Sequence, residues 1–547
     1  MRLFSSHAYR CRRLTVRSAR RLLQAAAPLV VLVAMPGAVF ELDRYLVPKE
    51  LVLHVAAFGS ALLALRQVRR MPLATVDIPL IGFAVLSVVS AALATNPWLA
   101  LRATGVTLAG FVLFWTTRAI ARAGLARPLL ATLAFATVLG AATGLLQAYG
   151  IELPFASPRR APGGTFGNRN FMAHLTAIGL PLLAFLTIES RSRGAPILGP
   201  LGIAISAAAL LLSRSRAAWL AVAAGLTIFL IEGIMVSGLW RDPRIRRRIA
   251  SACAAAAIGV VLAIALPNGL EWRSDSPYLE TLAGVANFRE GSGRGRLIQY
   301  ENTLRMTRDH PVLGVGPGNW AVEYPKYTTP GDPAFDAGDP IPTNPWPSSD
   351  WVAMVSERGI PAAILFVVAA SAMALVGWRR SRQEGRTTEG LSGLAMIATI
   401  VVAGVVGTFD AVLLLAAPGF FVWAILGSLH PAPREILAID RPAAHRGLGV
   451  LLAALGVVFT GYAGAQGTSI ALAGDGSSVT RLRWASALDP GSFRLRILLA
   501  QRSRSCAEAR RHAERAYRLV PHHGEPRRIL RRCGVRVERG LRARGGS

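Results

Sequence analysis

Thirteen apolar runs, most of them near twenty residues long, follow one another along 547 residues, separated by short stretches rich in arginine. A helix needs about 20 apolar residues to cross the hydrocarbon core of a bilayer. A chain patterned this way is therefore expected to be an all-α polytopic membrane protein with about 12–13 transmembrane helices. The expected spans are 22–40, 50–65, 78–95, 100–117, 128–149, 171–188, 197–212, 217–236, 249–266, 351–378, 391–409, 411–429 and 448–465. The apolar run 391–429 is too long for one span and is divided at Gly407-Thr408-Phe409-Asp410. The basic and then apolar N-terminus has the outline of a signal peptide. No small-residue cleavage site follows it, so it reads as a retained first helix.

Charge fixes the expected orientation. A formal net charge of +30 raises nucleic acid as a partner. The arginines, however, sit in clusters between apolar runs, where membrane topology puts them. Nucleic-acid binding is accordingly set aside. With the N-terminus in the cytoplasm, the inside segments are 1–21, 66–76, 118–127, 190–196, 241–248, 379–389 and 430–446, and they hold 27 Lys and Arg. Segment 267–349 then lies outside, with ten acidic and seven basic residues, as does everything after 465. The expected organisation is a basic cytoplasmic N-terminus (1–21), helices 1–9 (22–266), a large extracytoplasmic loop (267–350), helices 10–13 (351–465) and a small helical C-terminal tail (466–547).

In the tail, Ala485-Ser486-Ala487-Leu488-Asp489-Pro490 recurs loosely 31 residues later as Ala516-Tyr517-Arg518-Leu519-Val520-Pro521. This period resembles tetratricopeptide helix pairs, but a free-standing array needs about three repeats, so the tail must pack on something else or stay partly mobile. It holds 18 Arg against five acidic residues from 481 onward. That is either a solvated face or a surface for anionic lipid or glycan. Cys506 and Cys533 both fall here, as a disulfide if the tail lies outside or as two thiols. Cys11 and Cys253 add no metal-type spacing, and neither metal nor cofactor is expected.

Charged groups near membrane depth are expensive and mark function. Arg214 and Arg216 stand in a tight turn between two spans on the expected outer side, where positive charge is disfavoured. They read as an anion clamp or as interfacial snorkelling. Gly164-Thr165-Phe166-Gly167-Asn168-Arg169-Asn170-Phe171 leads into a span, with Asn168 or Asn170 as helix cap and the helix N-terminus open to an anion. In the large loop, Gly293-Arg294-Gly295-Arg296 opens an amphipathic helix ending near Asp309-His310-Pro311. Gly314–Gly318 is not a nucleotide loop, since no Lys-Ser/Thr follows. His310, before a proline, reads as structural.

Gly164–Phe171, Ser215–Trp219, Arg296–Tyr300, Asp309–Asn319 and Ser348-Ser349-Asp350-Trp351 through Glu357-Arg358-Gly359-Ile360-Pro361 together resemble the O-antigen ligase and polymerase family, which also contains protein O-oligosaccharyltransferases. The resemblance implies a multi-pass protein of the bacterial inner membrane. It would move a glycan from undecaprenyl diphosphate to a lipid, glycan or protein acceptor on the outer face, without a metal ion. Membrane lipids, and envelope-assembly proteins met through the tail, are the other implied partners. Arg216 and Arg296 fall where family members rely on arginine. A guanidinium holds a diphosphate bidentately and stabilises leaving-group charge. Arg214, Arg294, Arg169 and Asn170 are the candidate helpers. The family usually carries His-Asn where this chain has Ser348-Ser349. A serine is no general base near neutral pH, which leaves Asp350 as candidate substitute. The alternative is a non-catalytic relative that binds lipid-linked glycan or scaffolds envelope assembly. A secondary transporter would need mid-span acidic pairs, which are few here.

Overall fold

A computed structural model describes residues 3–36, 39–66, 71–153, 156–157, 161–190, 194–235, 242–272, 274–284, 287, 291–329, 332, 345–383, 387–430, 437–439 and 441–535. The first half is helical: α1 (Leu3–Leu32), α2 (Asp43–Leu65), α3 (Asp77–Ala92), α4 (Pro97–Arg122), α5 (Ala126–Ala148), α6 (Arg169–Glu189), α7 (Ala195–Ser213), α8 (Arg216–Met235) and α9 (Pro243–Ala265). The loop region holds α10 (Pro277–Ala283), α11 (Gly291–Asp309) and α12 (Trp320–Glu323). Then come α13 (Asp350–Arg358), α14 (Ile360–Ser381), α15 (Thr387–Phe409), α16 (Ala416–Leu429) and α17 (Pro442–Ala473). The tail is α18 (Val479–Leu488), α19 (Phe493–Arg502), α20 (Cys506–Leu519) and α21 (Gly524–Arg532), and its expected end, 536–547, lies outside the described residues.

Among the described residues, each expected span overlaps a helix. Among the described residues, nine are long and apolar enough to cross a membrane: α2, α4, α5, α6, most of α7, α9, α14, most of α15 and α17. α3 and α16 are shorter apolar helices. α16 has 14 residues, all buried, so at about 1.5 Å per residue it falls short of the hydrocarbon core. Of those nine, α6 is the most buried, whereas α9 and α17 are peripheral. Their outer faces display Ile258, Val261, Val450 and Val457, a large apolar exterior suited to lipid rather than water.

Local chemistry sets the ends. Asn168 caps α6, its Oδ1 accepting from the Asn170 N–H at 3.0 Å; Asn96 caps α4 with Pro97 next, where a missing N–H costs nothing. The first span ends at Leu32, not at residue 40. There the buried Lys49 ammonium donates to the carbonyls of Val31 (3.0 Å) and Val33 (2.6 Å), satisfying the helix end before Pro36. The expected division of 391–429 falls where α15 stops and the 410–415 turn begins. The expected span 351–378 is instead two helices, because Gly359 at φ +84° breaks it into α13 and α14. A two-stranded antiparallel ladder, Met71–Leu73 (β1) with Leu437–Ile439 (β2), was not foreseen.

A strap ties the loop to the bundle. Val315 and Gly316 N–H groups donate to the carbonyls of Ser356 (3.0 Å) and Glu357 (2.9 Å), and Ile360 N–H to Pro311 O at 2.9 Å. The Ser90 hydroxyl lies 2.9 Å from Glu357 O. Gly314, Gly316 and Gly318 all have positive φ, which glycine alone adopts cheaply. The tail packs on the same end. Phe40 and Val47 join Ile470, Leu482, Leu495 and Leu499 in one apolar cluster, and His522 reaches Glu323 at 3.3 Å. Ala485 and Ala516, 31 residues apart, are both fully buried near the ends of α18 and α20, each followed by a second helix. Cys506 and Cys533 are disulfide-bonded, with Cα atoms 5.4 Å apart.

Gly359→Ala is expected to lower the midpoint of thermal unfolding of the detergent-purified protein. A Cβ there would enter the Val312 backbone at a positive φ, a strain of about 1–3 kcal/mol. Gly461→Ala, in an open part of α17, should leave the midpoint unchanged or raise it.

Candidate functional site

The arginines meet at the end of the bundle that carries the loop. Arg214 closes α7 in the left-handed region (φ 51°), the one non-glycine residue there among those described. Such a conformation costs roughly 1–3 kcal/mol and persists only where its surroundings enforce it. Here the side chain is gripped on three sides. Its Nε donates to Thr281 Oγ1 at 2.7 Å, its Nη2 to Glu280 Oε2 at 3.1 Å, and the guanidinium stands 4.7 Å from the Trp272 ring centre. Two residues on, Arg216 opens α8 and donates to the carbonyl of Gly284. Arg169, the first residue of α6, covers the same Trp272 ring at 5.3 Å. One indole thus carries two guanidinium groups, each attracted to its π-face.

Arg296 comes from α11. Its Nε is buried with no hydrogen-bond partner, and its charge is felt by Arg216 and by His174. Arg169 and Arg214 oppose each other likewise. Four guanidiniums are therefore drawn toward one place, with the exposed Glu280 carboxylate paired to Arg214. Helix N-termini at Arg169 and Arg216 add partial positive charge. The arrangement is built to take an anion with several oxygens. Arg294, two residues before Arg296 on α11, is exposed. The Asn170 side chain sits partly exposed on the first turn of α6.

Ser348 and Asp350 lie beside Arg296 through Tyr300. The Tyr300 hydroxyl is 2.7 Å from Ser348 O and 2.8 Å from Thr408 O. Burial pushes it up to about 12, so it stays a donor. Ser348 is held by its backbone, with its N–H on Gln299 Oε1 at 2.8 Å. Asp350 is buried, and its carboxylate accepts the N–H groups of Val412 (3.0 Å) and Leu413 (3.0 Å), fixing α13 to the 410–415 turn. With those oxygens committed, Asp350 acts as a strut. Glu357 and Arg358 are struts too: both are buried, 3.2 Å apart, with Arg358 also 3.2 Å from Thr107 Oγ1. His310 sits exposed at its turn.

Sequence reasoning missed Trp272, His174 and Asp410. His174, buried in α6, has neither ring nitrogen hydrogen-bonded and lies 4.0 Å from Asp410 Oδ2. Asp410 stood in the dividing tetrapeptide but was read as a turn. A separate cavity of about 250 Å³ opens between α2, α4, the loop and the tail. Its floor is the ion network of Arg102 with Asp43 (2.8 Å) and Glu50 (2.8 Å), and none of the expected site residues lines it.

Asp350→Asn is expected to destabilise the protein by about 1–3 kcal/mol, because an amide nitrogen would face buried N–H groups; thermal unfolding reads this directly. Ser348→Ala should leave thermal unfolding unchanged, since Ser348 is held through its backbone N–H and carbonyl.

Residues 201–367 match the family model described as O-Antigen ligase. That segment holds Arg214, Arg216, Arg294, Arg296, Ser348 and Asp350, whereas Arg169, His174 and Asp410 fall outside it. No curated protein matches the chain. The arginine-bearing α7–α8 turn, the loop helix α11 and the strap all lie within the matched stretch, so over residues 201–367 the chain is similar to the O-antigen ligase family.

Proposed function

We propose that this protein transfers a glycan from an undecaprenyl-diphosphate carrier to an acceptor hydroxyl, at the outer face of the bacterial inner membrane. The match of residues 201–367 to the O-antigen ligase family model supports glycan transfer in envelope polysaccharide biosynthesis. The observation that carries the finer reading is the crowding of like charges at one end of the bundle, Arg169 and Arg214 on the Trp272 ring and Arg216 opposed by Arg296. A diphosphate supplies the oxygens that such a set of forks holds. As the sugar leaves, negative charge grows on the diphosphate, and fixed cations in a partly desolvated site lower that barrier. The Thr281 hydroxyl, Glu280 carboxylate and Gly284 carbonyl now engaged by the arginines mark where anionic oxygens would compete.

Two observations favour the outer face for this site. The expected cytoplasmic segments carry the excess of arginine. The Cys506–Cys533 disulfide, in a tail packed on the loop end, suits an oxidising compartment. The acceptor is a hydroxyl-bearing lipid, glycan or protein.

Arg216→Ala and Arg296→Ala should each cut surface glycan by about 100-fold or more at normal protein abundance, with lipid-linked glycan accumulating in membrane extracts. Lysine at either position should recover only part, as it cannot make the planar fork. Normal glycan display in both alanine variants would contradict the clamp. Alkylation of intact cells should find Cys506 and Cys533 oxidised; two free thiols would place the tail on the reducing side.

A further inference from the structure

An attacking hydroxyl must lose its proton, and the arginines cannot take it. The group that does so has to stand near Arg296 with a basic atom not already committed. Asp350 spends its carboxylate on backbone N–H groups, and the Ser348 hydroxyl is too weak a base. Asp410 meets the requirement. It lies in the break between α15 and α16, where Oδ1 accepts the Ala411 N–H at 2.8 Å. Oδ2 is turned toward His174 Nε2 at 4.0 Å, and the side chain keeps 14% of its surface exposed. Its charge is felt by His174 on α6, Tyr300 on α11 and Asp350 on α13, and Arg296 faces both His174 and Tyr300.

His174 is harder to explain by packing. Its ring is fully buried with both nitrogens unpaired. A buried polar atom left without a partner costs about 1–3 kcal/mol. Leucine or phenylalanine would fill the space in α6 without that cost. The one acid near the ring is Asp410, just beyond hydrogen-bond length.

We propose that Asp410 is the general base for the acceptor hydroxyl and that His174 is the positioning residue behind it. This rests on the glycan-transfer reading. In the step, the acceptor oxygen bonds to the anomeric carbon as the bond from that carbon to the phosphate oxygen breaks. The hydroxyl proton passes to Asp410 Oδ2. The electron pair of the broken bond leaves with undecaprenyl diphosphate, whose charge the arginines hold. Water then takes the proton from Asp410. A ring N–H of His174 steers Oδ2 toward the acceptor.

The test uses the full-length protein in its own membranes, with two readouts: surface glycan, and the lipid-linked glycan that copurifies with the protein in mild detergent. Asp410→Asn should lower surface glycan by about 100-fold or more, with abundance and copurifying carrier at wild-type levels. Asp410→Glu, which keeps a carboxylate, should recover a measurable part. His174→Leu should lose roughly 10-fold, the size of one hydrogen bond to a charged group, while His174→Gln, which keeps an N–H, retains most of the output. Wild-type output from Asp410→Asn, or loss of the copurifying carrier in it, would overturn the assignment and leave the arginine clamp standing. Equal losses in the two His174 variants would remove the positioning role. No carrier on the wild-type protein together with normal output from Arg216→Ala would instead overturn the transfer reading and this step with it.

Discussion

Like charges crowd at one end of this bundle, and the rest of the architecture is arranged to hold them there. Arg169 and Arg214 share the Trp272 face, and Arg216 and Arg296 oppose each other nearby. Each comes from a different helix or helix end, so the cluster exists only if α6, the α7–α8 turn and α11 are held in register. The repulsion is offset by the indole quadrupole, by one carboxylate and by carbonyl and hydroxyl oxygens of the α10 region. A site with this surplus of positive charge is poised for an anion rather than for another side chain.

Holding α11 in place is the task of the polar struts. Strap hydrogen bonds tie 311–316 to 356–360, Asp350 pins α13 to the 410–415 turn, and Tyr300 bridges Ser348 and Thr408. The buried Glu357–Arg358 pair anchors the strap to α4 through Thr107. Removing one member of such a pair leaves an uncompensated buried charge, so these residues are constrained as tightly as catalytic ones. The tail adds a second layer by packing its helices on α2 and α17 at the same end.

Much of this was legible in the amino-acid order, for local reasons. Hydrophobic length gave the helices, Asn168 and Pro97 gave caps, and Gly407–Asp410 gave the break before α16, because each depends on neighbours in sequence. The break at Gly359 was missed inside the run 351–378, although Glu357 and Arg358 precede it and Pro361 follows. Arg214 and Arg216 stood out because positive charge in that turn is unfavourable. Asp350 was read as a candidate for chemistry, and the structure shows its carboxylate bonded to the backbone of the 410–415 turn. Sequence does not tell whether a carboxylate meets a substrate or the backbone of a segment some sixty residues away. Trp272, His174 and Asp410 were missed for the converse reason. Their meaning lies in partners such as the 174–410 pair, which only the packed bundle brings together.

Binding of undecaprenyl diphosphate itself tests the central claim most directly, because it needs neither the sugar nor the acceptor to be known. Native mass spectrometry of the detergent-purified protein should show one bound molecule, retained over undecaprenyl monophosphate and lost when Arg216 and Arg296 are both replaced by alanine. Equal retention by the wild-type and doubly substituted proteins would mean that these guanidinium groups do not hold the carrier.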